Sequence, residues 1–518
     1  MTHSMTIKQI IEKAVNTQQT HAQALGADEL LAWFAPILEQ SVSEFCLDSR
    51  QATKDCAFVL LKSSSQDKQT ASKRACEYIE AVKDKASVII SEFDAADLAV
   101  SESQVPMVFV PKIRTVLGDL ISASLQLQSA VTLPKVIAVT GTNGKTTVSQ
   151  LIAQLCQASG ISAAIMGTAG NGKLGQLVQS ANTTGDVLLV QKFLYQMGQA
   201  GVQVVALEAS SHGLDQYRLQ GVPVAVAVYT NLSHDHLDYH ADMEEYRLAK
   251  ARLFNPALFP TLQAGVVNAD AQYALLDDEV DYPVYRYSWQ QGDYVATSVE
   301  PSLDGVRIEL QSPHGSMTLQ SPLLGLFNVD NLLASVAAFA SLYPQQVCHI
   351  PKMVQTLEGA RGRMQRANSQ TGSFIVDYAH TPDALVQVLS SLRKHCTGKL
   401  IAVFGCGGDR DKTKRPLMTR AGLDYADQVI LTADNPRSEE PSAILSDMQQ
   451  GLSCEDHYKI LIEADRKKAI ELAVSSAKAS DIVVIAGKGH ETYQEIKGVR
   501  HDFDDLAILN DLLKKYQK

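Results

Sequence analysis

The sequence predicts an α/β protein of three domains, and three observations carry that reading. From residue 135 onward, short apolar runs of strand length alternate with helical stretches: 202–208, 224–230, the helical 243–254, then 374–377, 400–405, 428–432 and 482–486. Alternation of this kind reads as largely parallel sheets covered by helices. Each run ends in a cluster of Gly, Asp, His or Asn, and the carboxyl ends of strands are where open α/β sheets bind ligands. Finally, a chain of 518 residues holds about three domains of ordinary size.

The first region mixes amphipathic helices, expected at 7–18, 27–40 and 71–86, with apolar strands at 57–61 and 87–90. Pro106 and Pro111 punctuate its exit. At 135–149 an apolar strand runs into a glycine-rich turn and then a helix. Residues 282–320 alternate polar and apolar positions, which predicts a small antiparallel section. After 359–363 the strand–helix alternation resumes. No internal repeat or low-complexity tract interrupts the chain. The expected domains are 1–112, 113–360 and 361–518.

Apolar residues make up 45% of the chain, ordinary for a globular protein and enough for each domain to build a core. A formal charge of −11 argues against a nucleic-acid partner and leaves anionic ligands to be held locally by Arg, Lys and Mg²⁺. Eight cysteines, at 46, 56, 76, 156, 348, 396, 406 and 454, form no CxxC pair, as suits reduced thiols in a cytosol. The first residues lack a basic segment followed by an apolar one, so no signal peptide is expected. No apolar stretch approaches the roughly 18 residues that span a bilayer. The expectation is a cytoplasmic monomer with small-molecule partners, binding neither membrane nor nucleic acid.

The strongest chemical signal is Thr140-Gly-Thr-Asn-Gly-Lys-Thr-Thr147. A strand, a glycine-rich turn and a helix N-terminus in that order form a phosphate cradle. Amides of Gly141, Thr142, Asn143 and Gly144 meet phosphate oxygens, Lys145 neutralises β/γ charge, and Thr146, followed by Thr147, offers a hydroxyl to Mg²⁺. The general P-loop pattern is matched in part, because its first glycine falls on Val139. This is therefore the expected nucleotide site, in a central P-loop domain. A second stretch, Gly167-Thr-Ala-Gly-Asn-Gly-Lys-Leu174, has the spacing but ends in Leu, which offers Mg²⁺ nothing; it reads as a turn at a strand end.

Glu208 closes the apolar run 202–207. A carboxylate there holds Mg²⁺ directly or through water, or is a solvated strand-end acid; the upstream phosphate loop favours the metal. Four of the thirteen histidines (212, 234, 236, 240) fall within 212–240. Zinc is one reading, but no cysteine is near and Mg²⁺ is already implied. His236 is assigned to metal; His234 and His240 are expected at the surface or behind the ligands.

In order along the chain come Thr-Gly-Thr-Asn-Gly-Lys-Thr-Thr, Glu208-Ala-Ser-Ser-His-Gly-Leu214, Thr230-Asn-Leu-Ser-His-Asp-His-Leu-Asp-Tyr-His240 and Gly325-Leu-Phe-Asn-Val-Asp-Asn331. They are followed by Gly362-Arg-Met364, Val376-Asp-Tyr-Ala-His-Thr-Pro382, Phe404-Gly-Cys-Gly-Gly-Asp-Arg410, Thr432-Ala-Asp-Asn-Pro-Arg437 and Gly487-Lys-Gly-His-Glu491. This succession resembles the Mur ligase family of cell-wall precursor enzymes over roughly residues 135–495. The resemblance implies a Rossmann-like C-terminal domain that binds an amino acid and a smaller α/β N-terminal domain that binds a UDP substrate. It implies an ATP-dependent amide ligase of peptidoglycan precursor synthesis: ATP phosphorylates a carboxylate, and an amine attacks the acyl-phosphate. The site is expected where the three domains meet, with closure gating catalysis.

The same resemblance implies residue roles. Lys145, Glu208, His236 and Lys250 are catalytic. A second Mg²⁺ is held by His236 and by Lys250 as a carbamate, which needs a neutral amine. Asn182, Thr183, Thr184, Ser210, Gln216 and Arg218 match positions that hold a UDP-sugar dipeptide; Leu47 and Ser49 lie in a uridine-binding segment. The family's next loop is replaced here by Lys62-Ser-Ser-Ser-Gln-Asp67, so no residue is assigned there. Asn328 and Asn331 match contacts to ATP near its base, though Asn328 also reads as a turn former. Arg363 and Asp377 match contacts of the closing C-terminal domain, with His380 less clearly matched. Asp434, Asn435, Pro436 and Arg437, with Arg410, Gly487 and Glu491, match an amino-acid pocket. An arginine there binds the second carboxylate of meso-diaminopimelate, which lysine lacks. The expected acceptor is UDP-N-acetylmuramoyl-L-alanyl-D-glutamate. The alternatives are a lysine-adding ligase, a folylpolyglutamate synthase-like ligase and, from another class, a P-loop switch NTPase.

Overall fold

The computed structural model describes all residues except 1–3, 63–67, 95–97, 99–104, 181, 238, 272, 274, 277–279 and 303. Most of the loop that departs from the family, 63–67, thus lies outside the described residues. The chain forms two compact units, Met1–Val295 with Leu333–Cys348 and Ala296–Leu332 with His349–Lys518.

In the first unit, β1 (Met5–Thr6) pairs antiparallel with β2 (Ser41–Val42). The helix Ile7–Val15 starts there because Thr6 and Gln9 cap each other's backbone amides, satisfying two donors that a helix start leaves open. It buries Ile7, Ile10, Ile11 and Ala14. The expected helix at 27–40 is cut short. It spans Ala27–Trp33 and gives way to a 3₁₀ turn, Ala35–Ile37, because Pro36 has no N–H to continue the ladder. A parallel sheet follows: β3 (Glu44–Cys46), β4 (Cys56–Leu60), β5 (Ala86–Ser91) and β6 (Met107–Phe109), in that order.

The central sheet contains β7 (Lys135–Thr140), β8 (Ala163–Gly167), β9 (Gly170–Lys173), β10 (Val204–Glu208), β11 (Val224–Tyr229), β12 (Ala264–Asn268) and β13 (Val284–Ser288). Its order is β13-β12-β11-β7-β10-β8-β9, parallel except for the β8–β9 hairpin. β10 and β11 are buried at every residue, the pattern of strands covered on both faces. The hairpin accounts for the second glycine stretch: 168–169 form the expected turn, while Gly170–Lys173 are the strand β9 itself.

In the second unit, β14 (Tyr294–Ser302), β15 (Gly305–Ser312) and β16 (Gly315–Ser321) lie side by side, with β15 and β16 antiparallel. The antiparallel expectation therefore holds for the later part of 282–320 but not for β13, which runs parallel to β12. Polar–apolar alternation reports one-sided burial and is blind to the direction of the neighbouring strand. A second sheet comprises β17 (Gln365–Arg366), β18 (Ser373–Asp377), β19 (Leu400–Phe404), β20 (Gln428–Leu431), β21 (Ile460–Ile462) and β22 (Ile482–Ala486), in the order β17-β18-β22-β19-β20-β21. A hairpin, β23 (Tyr493–Ile496) and β24 (Val499–Asp502), and the helix Asp505–Lys515 complete the chain. Among the described residues no helix is long and apolar enough to cross a membrane.

Candidate functional site

The carboxyl ends of β7, β10 and β11 deliver the first cluster. β7 leads through Gly141 into the helix Lys145–Ala158, which has Gly144 at its N-cap and no side-chain cap. Gly141 and Gly144 adopt φ of 150° and 88°, and a Cβ on Gly141 would overlap the Thr230 hydroxyl. Only glycine fits the first position. The Thr142 amide donates to the Asn231 carbonyl at 2.8 Å and the Asn143 amide to Asn231 Oδ1 at 2.9 Å, so the segment that leaves β11 shapes the phosphate loop. Lys145 Nζ donates to Gly141 O at 2.8 Å and Thr142 O at 2.9 Å.

Glu208, only 2% exposed at the end of β10, accepts from the Thr146 hydroxyl at 3.1 Å. It also accepts from Thr168, through the amide at 2.9 Å and the hydroxyl at 3.1 Å. Burial of a carboxylate demands such donors. Thr168 Oγ1, its proton on Glu208, also lies 3.1 Å from Thr183 Oγ1, whose hydroxyl can donate to it. The structure thus brings Thr146, Glu208 and Thr183 together through Thr168, a residue the sequence reading left out. Gly167 lets the carboxylate pass, because a Cβ there would overlap it.

Lys250 projects from the helix Met243–Ala251, which Asp242 caps at its start. Its side chain is buried, with Nζ donating to Gly141 O at 3.0 Å and lying 4.3 Å from the Tyr246 ring centroid. Burial holds the amine well below the ordinary lysine range; nearby Lys145 adds to the shift and Asp235 opposes it. A lysine that reads as solvated in sequence is therefore a desolvated one, whose burial favours the neutral amine. His236, half exposed at a φ of 56°, stands edge-on to His212, with ring centroids 5.1 Å apart. His240 is buried against Tyr246, at 5.2 Å, rather than at the surface. Among the described residues no three His, Cys, Asp or Glu side chains gather as a metal-binding group. The hard oxygens of Thr146 and Glu208 nonetheless fit Mg²⁺, which takes few protein ligands and retains water.

Thr184, Ser210, Gln216 and Arg218 form one network beside Glu208. Thr184 Oγ1 donates to the Glu208 carbonyl at 2.7 Å and accepts from the Ser210 amide at 3.0 Å. Arg218 donates to Thr184 O at 2.9 Å and twice to Gln216 Oε1. Tyr239, which the sequence reading also missed, accepts from Gln216 Nε2 at 3.1 Å and donates to Asp215 at 2.7 Å. The Asn182 carbonyl accepts from Ser180 Oγ at 2.6 Å. Leu47 packs on the N-terminal core and Ser49 is buried; among the described residues neither side chain bonds to this network. Arg114 does reach it: it pairs with Glu92 at 2.8 Å and donates to the Lys62 and Gln216 carbonyls at 2.6 and 3.4 Å.

In the second unit, Asn328 donates through Nδ2 to Leu324 O at 2.6 Å and accepts through Oδ1 from Asn331 Nδ2 at 2.8 Å. Asn328 is not a turn former: it lies in the first turn of the helix Phe327–Leu342, where its side chain holds the carbonyl of Leu324 just before the helix. Asp377, at the end of β18, accepts the Met364 and Ala379 amides, both at 2.7 Å. Burial pushes its carboxyl up, against the pull of Arg363, whose guanidinium lies 4.3 Å from the Tyr378 ring centroid. His380 contacts the Tyr378 carbonyl at 3.0 Å.

The amino-acid candidates gather at the ends of β19, β20 and β22. Asn435 Nδ2 donates to Glu491 Oε2 at 2.8 Å. Gly487, at a φ of 114°, lies so close to Asp434 that a Cβ would stand 2.8 Å from its Oδ2. Arg437 adopts a φ of 51°, and its Nη1 donates to Gly408 O at 2.7 Å. The hairpin β23–β24 holds this loop: the Arg437 amide donates to Glu495 O at 3.0 Å and Gln494 Nε2 to Asp434 O at 2.6 Å. The Pro436 carbonyl leaves no room for a Cβ on Gly408, so two strand-end loops meet backbone to backbone. Arg410 is exposed, with its Cγ within 3.7 Å of where a Gly407 Cβ would stand. Lys488, buried between Asp434 and Glu491, was absent from the sequence expectations. Its flanking glycines, 487 and 489, were the only hint of a close approach.

Comparison with known proteins agrees with this layout. Residues 139–339 match the Mur ligase middle domain, and 362–489 match the Mur ligase glutamate ligase domain. The UDP-N-acetylmuramoyl-L-alanyl-D-glutamate–2,6-diaminopimelate ligase of Ectopseudomonas mendocina is 40% identical over 482 residues, 92% of this chain and 96% of that protein. The ligase of the same name from Pseudomonas aeruginosa is 46% identical over 376 residues, 71% of this chain and 76% of that protein. A solved structure of such a ligase superposes with a TM-score of 0.69 at 40% identity, covering 100% of both chains. With the phosphate loop, Glu208 and the Asp434–Arg437 loop all falling inside the matched regions, the chain belongs to the Mur ligase family.

Proposed function

We infer that this chain is an ATP-dependent ligase that adds meso-diaminopimelate to UDP-N-acetylmuramoyl-L-alanyl-D-glutamate in peptidoglycan precursor synthesis. The observation that carries the reading is the Asp434–Arg437 loop, in which Asn435 bonds Glu491 and Arg437 bonds the Gly408 carbonyl, in a chain 40–46% identical to ligases of that name. An arginine suits the distal carboxylate, and Glu491 suits the distal ammonium.

The chemistry follows from charge. A carboxylate oxygen of the UDP substrate attacks the γ-phosphorus of ATP, the bond to ADP breaks, and an acyl-phosphate results. The amine of diaminopimelate attacks the acyl carbon, loses a proton, and phosphate leaves. Two anions meet in the first step, so charge neutralisation governs its barrier. Lys145 supplies a cation at the β/γ-phosphates. Thr146 and Glu208 would hold one Mg²⁺, and His236 with carbamylated Lys250 a second; bound Mg²⁺ would supply further neutralisation. Arg218, Gln216, Thr183, Thr184, Ser210 and Asn182 would hold the UDP-sugar dipeptide, Leu47 and Ser49 its uridine. Asn328, Asn331, Arg363 and Asp377 would contact ATP. We assign 1–112 to the UDP substrate, 113–360 to ATP and 361–518 to the amino acid, working as a monomer in the cytoplasm.

The test is phosphate release measured with each substrate omitted in turn. Release should require ATP, the UDP-muramoyl dipeptide and diaminopimelate together, yield the tripeptide, and vanish in Lys145→Ala. Release without the dipeptide and amine would overturn the ligase reading in favour of a switch NTPase.

A further inference from the structure

We propose that Lys488 sets the amino-acid preference of the second unit's pocket. It compensates the Glu491 and Asp434 carboxylates and fixes the Asn435 amide, so that a ligand tip with both carboxylate and ammonium is favoured over one with ammonium alone. The inference rests on the ligase reading above and adds a positioning residue to it.

Lys488 is a fully buried lysine whose polar contacts all fall on candidate pocket residues. Its Nζ lies 3.1 Å from Glu491 Oε2, 3.2 Å from Asn435 Oδ1 and 3.7 Å from Asp434 Oδ1. The orientation of Asn435 follows from these contacts. Its Oδ1 accepts from Lys488 Nζ and from the Glu495 amide at 2.9 Å, while its Nδ2 donates to Glu491. With the oxygen claimed twice, Asn435 offers a ligand only its N–H hydrogens. That end attracts a carboxylate and rejects an ammonium. On Glu491, the Lys488 and Asn435 contacts both fall on Oε2, which directs Oε1 to any ammonium that enters.

The balance of charge points the same way. Asp434 and Glu491 are two anions beside one cationic specificity residue, Arg437. Without Lys488 the pocket would be a stronger trap for an ammonium than for a carboxylate. Arg466 also feels the Asp434 and Glu491 charges, but its Nε and Nη2 bond both oxygens of buried Asp505, at 2.8 and 2.7 Å. Its charge is matched there, and Lys488 is the cation that bonds Glu491 and Asn435 directly. Removing one partner of a buried charge group leaves the others uncompensated.

The experiment compares kcat/KM for meso-diaminopimelate and L-lysine in the parent, Lys488→Met and Lys488→Arg. In Lys488→Met the diaminopimelate-to-lysine ratio should fall about tenfold or more, with kcat/KM for lysine itself rising above the parent's. A merely structural loss would lower both. KM for ATP and for the UDP dipeptide should stay within about twofold, since neither ligand meets this group. Lys488→Arg, which keeps the charge, should retain the preference. A ratio unchanged in Lys488→Met overturns the inference. Should that variant not fold, Lys488→Met with Glu491→Gln removes the paired charges together; it should also lose the preference, and retention there overturns the inference equally. A parent that prefers lysine, or adds neither amino acid, overturns the ligase reading itself before any variant is compared.

Discussion

Lys250 and Lys145 donate to the same acceptor, the carbonyl oxygen of Gly141, at 3.0 and 2.8 Å. Two ammonium ions on one carbonyl repel each other, and burial together with that repulsion lowers the Lys250 pKa well below the ordinary lysine range, favouring its neutral form. Its neutral amine can take up carbon dioxide and become an anionic oxygen ligand. Lys250→Ala should therefore lose most ligase activity, and formate or acetate should restore part of it by supplying a carboxylate. Electron density at the Lys250 tip, in crystals with Mg²⁺ and substrates, checks the modification directly; an unmodified amine there would sink the idea.

Gly167→Ala probes Glu208 without touching it chemically. The added methyl overlaps the carboxylate and should push it off Thr146 and Thr168. Losing one or two buried hydrogen bonds costs about 1–3 kcal/mol, so kcat/KM for Mg²⁺-ATP should fall about tenfold to a hundredfold. KM for diaminopimelate should hold. Initial rates over a matrix of ATP and Mg²⁺ concentrations decide it.

Arg437→Ala should chiefly damage diaminopimelate use. Loss of a charge-assisted contact in a closed pocket costs about 2–5 kcal/mol, part of it from a ligand carboxylate left unpaired. Lysine should be a poor substrate of the parent, and the variant should narrow the gap between the two. Parallel kcat/KM measurements test this, and a preference ratio that survives the substitution refutes it.

His490 gives the fold a pH dependence. Burial, helped by Arg363 and Arg361, pulls its imidazole from 6.5 down to about 4. The unfolded chain therefore takes up a proton near pH 6.5 that the folded chain refuses until near pH 4. The stabilising contribution is present above pH 6.5 and is lost as pH falls across that window, amounting to about 3 kcal/mol at most. Urea midpoints of the parent should drop more steeply from pH 7 to pH 5 than those of His490→Gln. Parallel slopes would refute the assignment.

Much of this was legible in the sequence because strands buried on both faces leave unbroken apolar runs; β7, β10, β18, β19, β20 and β22 all stand within a residue or two of their expected places. The glycines of the phosphate loop were legible because only glycine tolerates Gly141's contact with Thr230. Pairing direction at β13 was not, since periodicity carries no information about a neighbour. Lys488, Thr168 and Tyr239 were illegible for another reason. Each acts through a side chain distant in sequence: Thr168 on Glu208, Tyr239 on Gln216, Lys488 on Asn435.

Arg437 sits at a φ of 51°, where a side chain costs about 1–2 kcal/mol relative to glycine. The position that would choose the amino acid is thus one where the backbone itself favours having no side chain. Drift toward glycine would make the protein sturdier and less selective in one step. Purifying selection at this position would have to act against stability, and a screen for heat-resistant variants would enrich ligases that had lost their discrimination. Anyone hardening this enzyme by consensus or directed evolution should hold Arg437 fixed and seek rigidity elsewhere.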